Sequence, residues 1–370
     1  MIEVSVSDLS KHLAPFKAFV RSEISQLVSI QESDRPWQMP FAAALSSGLP
    51  IAVGAYFDHM NYGLVSSLGG IVFLYLPGTS LHHRMVTLMA CSFGMAACYT
   101  LGIMSHLVTP LMVPVLTFVA ILATMVCRIY RIGPPGSLFF IMAAAIGAYS
   151  PVDVLQVPQF VGLLTMGCLL AGLIALFYSV HILRLREPQP VVPIPPATFE
   201  HVGFEPVIIG IFVGISLALG QALSLPRPYW VPVSCLAVIQ GMSLRAVWNR
   251  QVHRVAGTAF GLLVSWGLLA LPLDKWSIFL MMTALAFIIE TMVVRHYGVA
   301  VIFITPLTIF LAEAASFDHG SSSALIQARF VDTVLGSLVG LLGGVCLHSP
   351  RFREVAGRQI RRIIPTRMLP

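Results

Sequence analysis

Charge is what this sequence has least of. Asp, Glu, Lys and Arg make up 10% of its 370 residues, against about 25% in soluble globular domains. So few charges cannot clothe a water-facing surface, which excludes a soluble globular protein. Intrinsic disorder is excluded by the 57% share of hydrophobic residues. Cysteine is scarce as well. Cys91, Cys98, Cys127, Cys168, Cys235 and Cys346 form no C-x-x-C and have no histidine at zinc-ligand spacing. All six fall in apolar runs and read as small core residues. No histidine pair has the spacing of a helical metal site. A Walker motif, H-E-x-x-H and a Ser/His/Asp pattern are also missing. The sequence therefore points to no enzyme, no ATP hydrolysis and no cofactor. A net charge of +6 would suggest nucleic acid in a soluble chain. In a chain with a mean hydropathy of +0.85, the placement of Lys and Arg reports membrane topology instead.

What is present in abundance is apolar sequence. Runs fall at about 40–57, 62–77, 84–104, 107–127, 134–150 and 158–183, and again at about 204–223, 229–242, 252–271, 276–293, 297–315 and 325–347. They predict an all-α polytopic membrane protein of about twelve transmembrane helices. The predicted organisation is an amphipathic N-terminal segment at 1–39, six helices over 40–183 and a Pro-rich linker at 184–203. Six more helices over 204–347 and a basic tail at 348–370 complete it. The first 39 residues hold no apolar stretch of signal-peptide type, so the first membrane helix is expected to serve as the targeting signal.

Alternate segments of this scheme hold nineteen Lys and Arg, from Lys11 to Arg367; the opposite loops hold only Arg227 and Lys275. That asymmetry predicts both termini in the cytoplasm. The linker EPQPVVPIPPATFE at 187–200 has five prolines in fourteen positions and reads as an extended connection between two halves. Leu9, Leu13, Phe16, Val20, Ile24 and Leu27 recur every three or four residues, as in an interfacial helix. The Arg-rich tail is expected to contact anionic lipid.

The two halves resemble each other. Gly48 and Gly54 match Gly214 and Gly220, Tyr62 falls near Tyr229, and Phe93-Gly94 matches Phe260-Gly261. Six helices per half is an even number, so the halves are expected to share one orientation, related by an axis along the membrane normal. The segment YWVPVSCLAVIQGMSLRAVWNRQVHRVAGTAFGLLVSWGLL at 229–269 resembles the core signature of the fusaric acid resistance-like family. It has the Tyr-Trp opening, the basic loop, and R-x-x-G-T-x-x-G in Arg254, Gly257, Thr258 and Gly261. VAVIFITPLTIFL at 299–311 and RFVDTVLGSLVG at 329–340 extend the likeness over most of 204–347. The resemblance implies an exporter of aromatic acids in a bacterial inner membrane, with a distant likeness to plant malate transporters. Larger members carry a cytoplasmic domain between the halves, where this chain has only a linker. A periplasmic adaptor protein and a homo-oligomer stay open as partners beside membrane lipid and a small organic anion.

The second and eighth runs are short and occupy matched places in the two halves, the pattern that marks a substrate site in repeat transporters. They offer Tyr62, Ser66, Ser67, Tyr229, Trp230, Ser234 and Gln240. Tyr229 and Trp230 suit an interfacial aromatic belt equally. The basic cluster from Arg245 to Arg254, with Arg295 and the neighbouring Thr258, reads either as a topology determinant or as a funnel for anions. Glu290, Glu313, Arg329 and Asp332 fall within or at the ends of late spans, where charge is rare. They read as an ion pair clamping helices, with Arg329 paired to Glu313 or Asp332, or as a gate or proton relay. The leading function is a secondary transporter exporting small organic anions, aromatic carboxylates first, on the proton gradient. A passive organic-anion channel and a non-transporting scaffold or biosynthetic partner are the alternatives.

Overall fold

A computed structural model of the protein describes Ser25 and residues 28–193, 198–313 and 322–363. Among the described residues the structure is helical, without strands. Each predicted apolar run coincides with a helix. The first six are α1 (Gln38–Tyr56), α2 (Met60–Gly70, continued by a 3-10 segment to Tyr75), α3 (Leu81–His106), α4 (Met112–Ile129), α5 (Leu138–Ala148) and α6 (Val157–Ile182). The second six are α7 (Glu205–Ala222, after a π-helical turn from Glu200), α8 (Trp230–Ile239), α9 (Leu244–Leu269), α10 (Lys275–Met292), α11 (Tyr297–Glu313) and α12 (Ser322–His348). A basic amphipathic helix, α13 (Pro350–Ile363), follows.

The chain is a multi-pass membrane protein. Eight helices (α1, α3, α4, α6, α7, α9, α10 and α12) are long and apolar enough to cross a membrane. The other four, α2, α5, α8 and α11, are shorter, and they recur at every third place. Local chemistry sets their limits. Pro134-Pro135-Gly136 precedes α5, and two prolines in a row deny the backbone the N–H groups a helix needs there. Leu76-Pro77-Gly78 closes the 3-10 extension of α2. At the end of α8 the chain breaks at Gly241, and Ser243 then caps α9 by accepting a hydrogen bond from the Ala246 amide at 3.1 Å.

The packing repeats with a shift of six helices. α2 packs on α6, α3 on α5 and α3 on α6; likewise α8 packs on α12, α9 on α11 and α9 on α12. Between the sixes, α4 packs on α7 and α10 packs on α1. Those two seams use the same device. A Cβ at Gly48 would collide with the Thr283 side chain, and one at Gly214 would collide with the Thr117 side chain. Each threonine is fixed by donating its hydroxyl to the carbonyl four residues earlier, Thr283 to Phe279 and Thr117 to Val113, both at 2.8 Å. Neither can swing aside, so glycine is needed for the helices to approach.

The amphipathic stripe from Leu9 to Leu27 lies outside the described residues. Of the linker, residues 187–193 have no regular secondary structure, and the Gln189 amide donates to the Gly78 carbonyl at 3.0 Å. The basic tail does more than face outward. In α13, Phe352, Ala356 and Ile360 pack on the core, Arg361 lies over the Phe199 ring, and Arg353 pairs with Glu200 at 2.7 Å.

Candidate functional site

A cavity of about 830 Å³ opens among the helices. All four short helices line it: Ser67 from α2, Phe139 from α5, Trp230 and Gln240 from α8, and Thr308 from α11. The space between the two sixes is lined mostly by apolar side chains, with a few polar and charged groups set among them. α1, α4, α9, α10 and α12 complete the wall. A small polar lattice ties the sixes together across it. Gln240 Nε2 donates to Ser137 Oγ at 2.9 Å, and Ser137 Oγ hydrogen-bonds Thr124 Oγ1 at 2.9 Å.

Six arginines reach the cavity: Arg35, Arg128, Arg131, Arg250, Arg254 and Arg329. The first four are partly or fully exposed and form its mouth. Two carboxylates meet them there. Glu290 pairs with Arg35 at 3.5 Å, and Glu205 pairs with Arg128 while its other oxygen lies 3.8 Å from Arg353 of α13. The last two are buried, Arg254 to 5% and Arg329 to 4% exposure. These form the deep end.

The deep end is built from helices that pack closely. Gly257 and Gly261 of α9 abut the Gly298 and Ile302 carbonyls of α11, which brings Arg254 one turn away to the cavity wall. Arg254 Nη2 donates to Ser234 Oγ of α8 at 3.3 Å. The Arg329 guanidinium of α12 stacks over the Trp230 ring, 4.1 Å from its centre. Arg254 Nε, Arg329 Nε and Arg329 Nη1 are buried without a hydrogen-bond partner among the described residues. Buried guanidinium N–H groups are strong donors that cost free energy when unsatisfied. Here three of them belong to side chains on one cavity wall, beside an aromatic ring. The chemistry that satisfies such a set is an anionic oxygen acceptor carried on an apolar or aromatic body.

Of the residues singled out in the sequence, Ser67, Trp230, Gln240, Arg254, Glu290 and Arg329 lie on the cavity wall. Ser234 is wholly buried behind it as the partner of Arg254. Tyr229 is buried against Trp230 and Tyr149, with ring centres 5.2 and 5.8 Å away, so this Tyr-Trp pair does not form a lipid-facing belt. Tyr62 stacks on His59 and meets Phe160 edge-on, away from the cavity. The Ser66 carbonyl closes against Gly167 of α6, a packing role. Thr258 is buried outside the cavity lining. Arg245 and Arg295 are exposed, and the Arg295 carbonyl accepts a hydrogen bond from the Gln31 amide at 2.9 Å. Asp332 is wholly buried, one turn from Arg329. Neither of its carboxylate oxygens makes a hydrogen bond among the described residues, so the direct pair expected with Arg329 gives way to stacking on Trp230. The Glu313 side chain lies outside the described residues. Arg35, Arg128 and Ser137 had no distinguishing sequence signal. Their contribution depends on which way the helix ends and loops turn.

Residues 213–343 match the family described as fusaric acid resistance protein-like. Trp230, Arg254, Glu290, Arg329 and Asp332 all fall inside that region. The chain is also similar to the uncharacterized membrane protein YvaC of Bacillus subtilis (strain 168). The two are 22% identical over 461 aligned positions, which cover 84% of this chain and 73% of that protein. No solved structure matches the chain.

Proposed function

We propose, taking the fusaric acid resistance protein-like character of residues 213–343 as the premise, that this protein is a secondary transporter that exports small organic anions. Aromatic carboxylates are its preferred class, the proton gradient its energy source and a bacterial inner membrane its location. The observation that carries the reading is the deep end of the cavity. Arg254 and Arg329 there have buried N–H groups without a hydrogen-bond partner among the described residues, and Arg329 lies over the Trp230 ring. A carboxylate satisfies the donors, and an aromatic body has the ring to lie against.

The mouth supports the same reading. Four partly exposed arginines raise the local concentration of anions, while Glu290 and Glu205 hold two of them in place. The repeated packing supports alternating access. The α1–α10 and α4–α7 seams have matched glycine–threonine contacts, and rocking of the six-helix halves about them would expose the deep end to each side in turn.

The test is flux in proteoliposomes with a panel of aromatic and aliphatic acids at controlled pH difference and membrane potential. Saturable flux of aromatic acids that follows the pH difference supports the reading. Flux of none of the acids sinks it, and single-channel currents would replace it with a channel.

A further inference from the structure

The deep end of the cavity holds two buried cations and one buried anion. Arg254 and Arg329 are on its wall, and Asp332 stands one turn behind Arg329 on α12, with no exposure at all. Asp332 makes no hydrogen bond through either carboxylate oxygen among the described residues, so it does not occupy the donors of Arg329. It acts on the site through space, and Arg329 and Asp332 do feel each other's charge. Among the described residues, the other charged or titratable groups that act on this cluster are Tyr229, at the start of α8, and Arg227, in the loop before it. Tyr229 is uncharged at neutral pH. Arg227 is only partly exposed and lies off the cavity wall, outside the three buried charges summed here.

The buried sum of Arg254, Arg329 and Asp332 is one net positive charge. In a low-dielectric site an unbalanced charge is costly, and the ligand that balances it best carries the opposite charge in the same number. A singly charged anion brings the deep end to neutrality. A doubly charged anion leaves it negative, with Asp332 repelling the second charge. Resting on the transport reading above, we propose that Asp332 is the charge-selecting residue of the site. It limits the deep end to organic anions of a single charge and discriminates against dianions of the same shape.

The proposal is tested with benzoate and phthalate, which share a ring and carry one and two carboxylates at pH 7.5. Binding to the purified full chain in lipid nanodiscs is measured by titration calorimetry. The parent should prefer benzoate. Asp332→Asn raises the buried charge by one and should move the affinity ratio towards phthalate by about tenfold or more. Arg254→Gln removes the net charge and should weaken benzoate binding. Arg254→Gln combined with Asp332→Asn restores one positive charge and should recover both benzoate binding and benzoate preference. If Asp332→Asn alone does not fold, the comparison of Arg254→Gln with the double variant decides, because the double variant has the parent's charge. An unchanged ratio in Asp332→Asn, or no recovery in the double variant, overturns the charge-selecting role and leaves the transport reading standing. A parent that binds neither acid, together with absence of flux, overturns the transport reading and this proposal with it.

Discussion

The guanidinium carbon of Arg329 lies 4.1 Å from the centre of the Trp230 ring. Guanidinium N–H groups point outward in the plane of the group, so a ring stacked on its face leaves the edge donors unused. That is the situation of Arg329, whose Nε and Nη1 have no hydrogen-bond partner among the described residues. The ring thus lowers the cost of burying the cation, while the Nε and Nη1 donors stay unsatisfied by the described residues.

This relationship predicts an unequal response to two conservative changes. Trp230→Phe keeps a ring and should retain most anion binding. Arg329→Lys keeps the charge but loses the planar fork and its stacking, and should weaken binding at least about tenfold, the scale of a desolvated cation–π contact of about 2 kcal/mol. Titration of benzoate against both variants, with thermal unfolding as a folding control, checks this. Arg329→Lys binding as tightly as the parent would overturn the assignment.

The matched glycines on the two seams give a second prediction. Gly48→Ala forces a methyl into Thr283, and Gly214→Ala forces one into Thr117. Each should destabilise by about 1–3 kcal/mol, the usual cost of overpacking. Gly48→Ala with Thr283→Ala, and Gly214→Ala with Thr117→Ala, should recover most of the loss by removing the colliding hydroxyl and methyl. Thermal unfolding in detergent measures it. Rescue at one seam but not at the other would mean that the two are not built alike.

The helices were legible because a membrane helix announces itself by an uninterrupted apolar run, and each of the twelve runs coincides with a helix. The shortness of α2 and α8 was visible too, since charged or Pro-Gly loops bound them closely. α5 and α11 did not stand out. Apolar residues continue through Pro134, and the run at 297–315 matches a full span in length, although α5 itself begins only at Leu138. In the site, Arg254, Arg329 and Trp230 could be named because charge and aromatics are conspicuous in such a sequence. Their arrangement could not. The sequence puts Arg329 and Asp332 on one helix face, but whether the guanidinium turns to Asp332 or to a ring on α8 is settled by packing between helices distant in sequence. The mouth arginines show the same limit. Arg131 and Arg295 look equivalent in the sequence, yet only Arg131 lines the cavity.

At the opposite end from the arginine mouth, Asp58 pairs with Lys275. The hydrogen bond from Lys275, then its charge, lowers the Asp58 carboxyl from its ordinary value of 3.8. A lowered folded value means that the contact's contribution is fully present above about pH 4 and fades as the pH falls through the lowered value. Both groups are well exposed, so the contribution is small. The unfolding temperature difference between the parent and Asp58→Asn should therefore be small and constant from pH 5 to pH 8, and should vanish in strong acid. A difference that grows with acidification between pH 8 and pH 5 would contradict this sign.

The Asp58–Lys275 pair also fixes two loops at one end of the bundle, because it joins the α1–α2 loop to the start of α10. The other end is marked independently. Gln31 donates to the Arg295 carbonyl at 2.9 Å, Arg186 donates to the Asp34 carbonyl at 2.9 Å, and Arg353 of α13 reaches Glu200 and Glu205. That end holds the basic segments, and the Asp58 end holds Asp58 and Asp274 with only Arg227 and Lys275 as Lys or Arg among the described residues. Positive charge is retained on the cytoplasmic side during insertion, so the cavity mouth with Arg128 and Arg131 should face the cytoplasm. Single cysteines placed at Asp58, Asp153 and Asp274, all exposed, should react in intact cells with a membrane-impermeant maleimide. Cysteines at Arg245 and Arg295, also exposed, should react only after permeabilisation. Of the native cysteines, Cys91, Cys127, Cys168 and Cys235 are buried, and the partly exposed Cys98 and Cys346 are replaced by serine to remove background. Reaction of Arg245→Cys in intact cells would reverse the orientation, and with it the direction of transport proposed above. Reaction of Asp58→Cys and Asp153→Cys from opposite sides would show that one of the intervening helices, α2 to α5, does not cross.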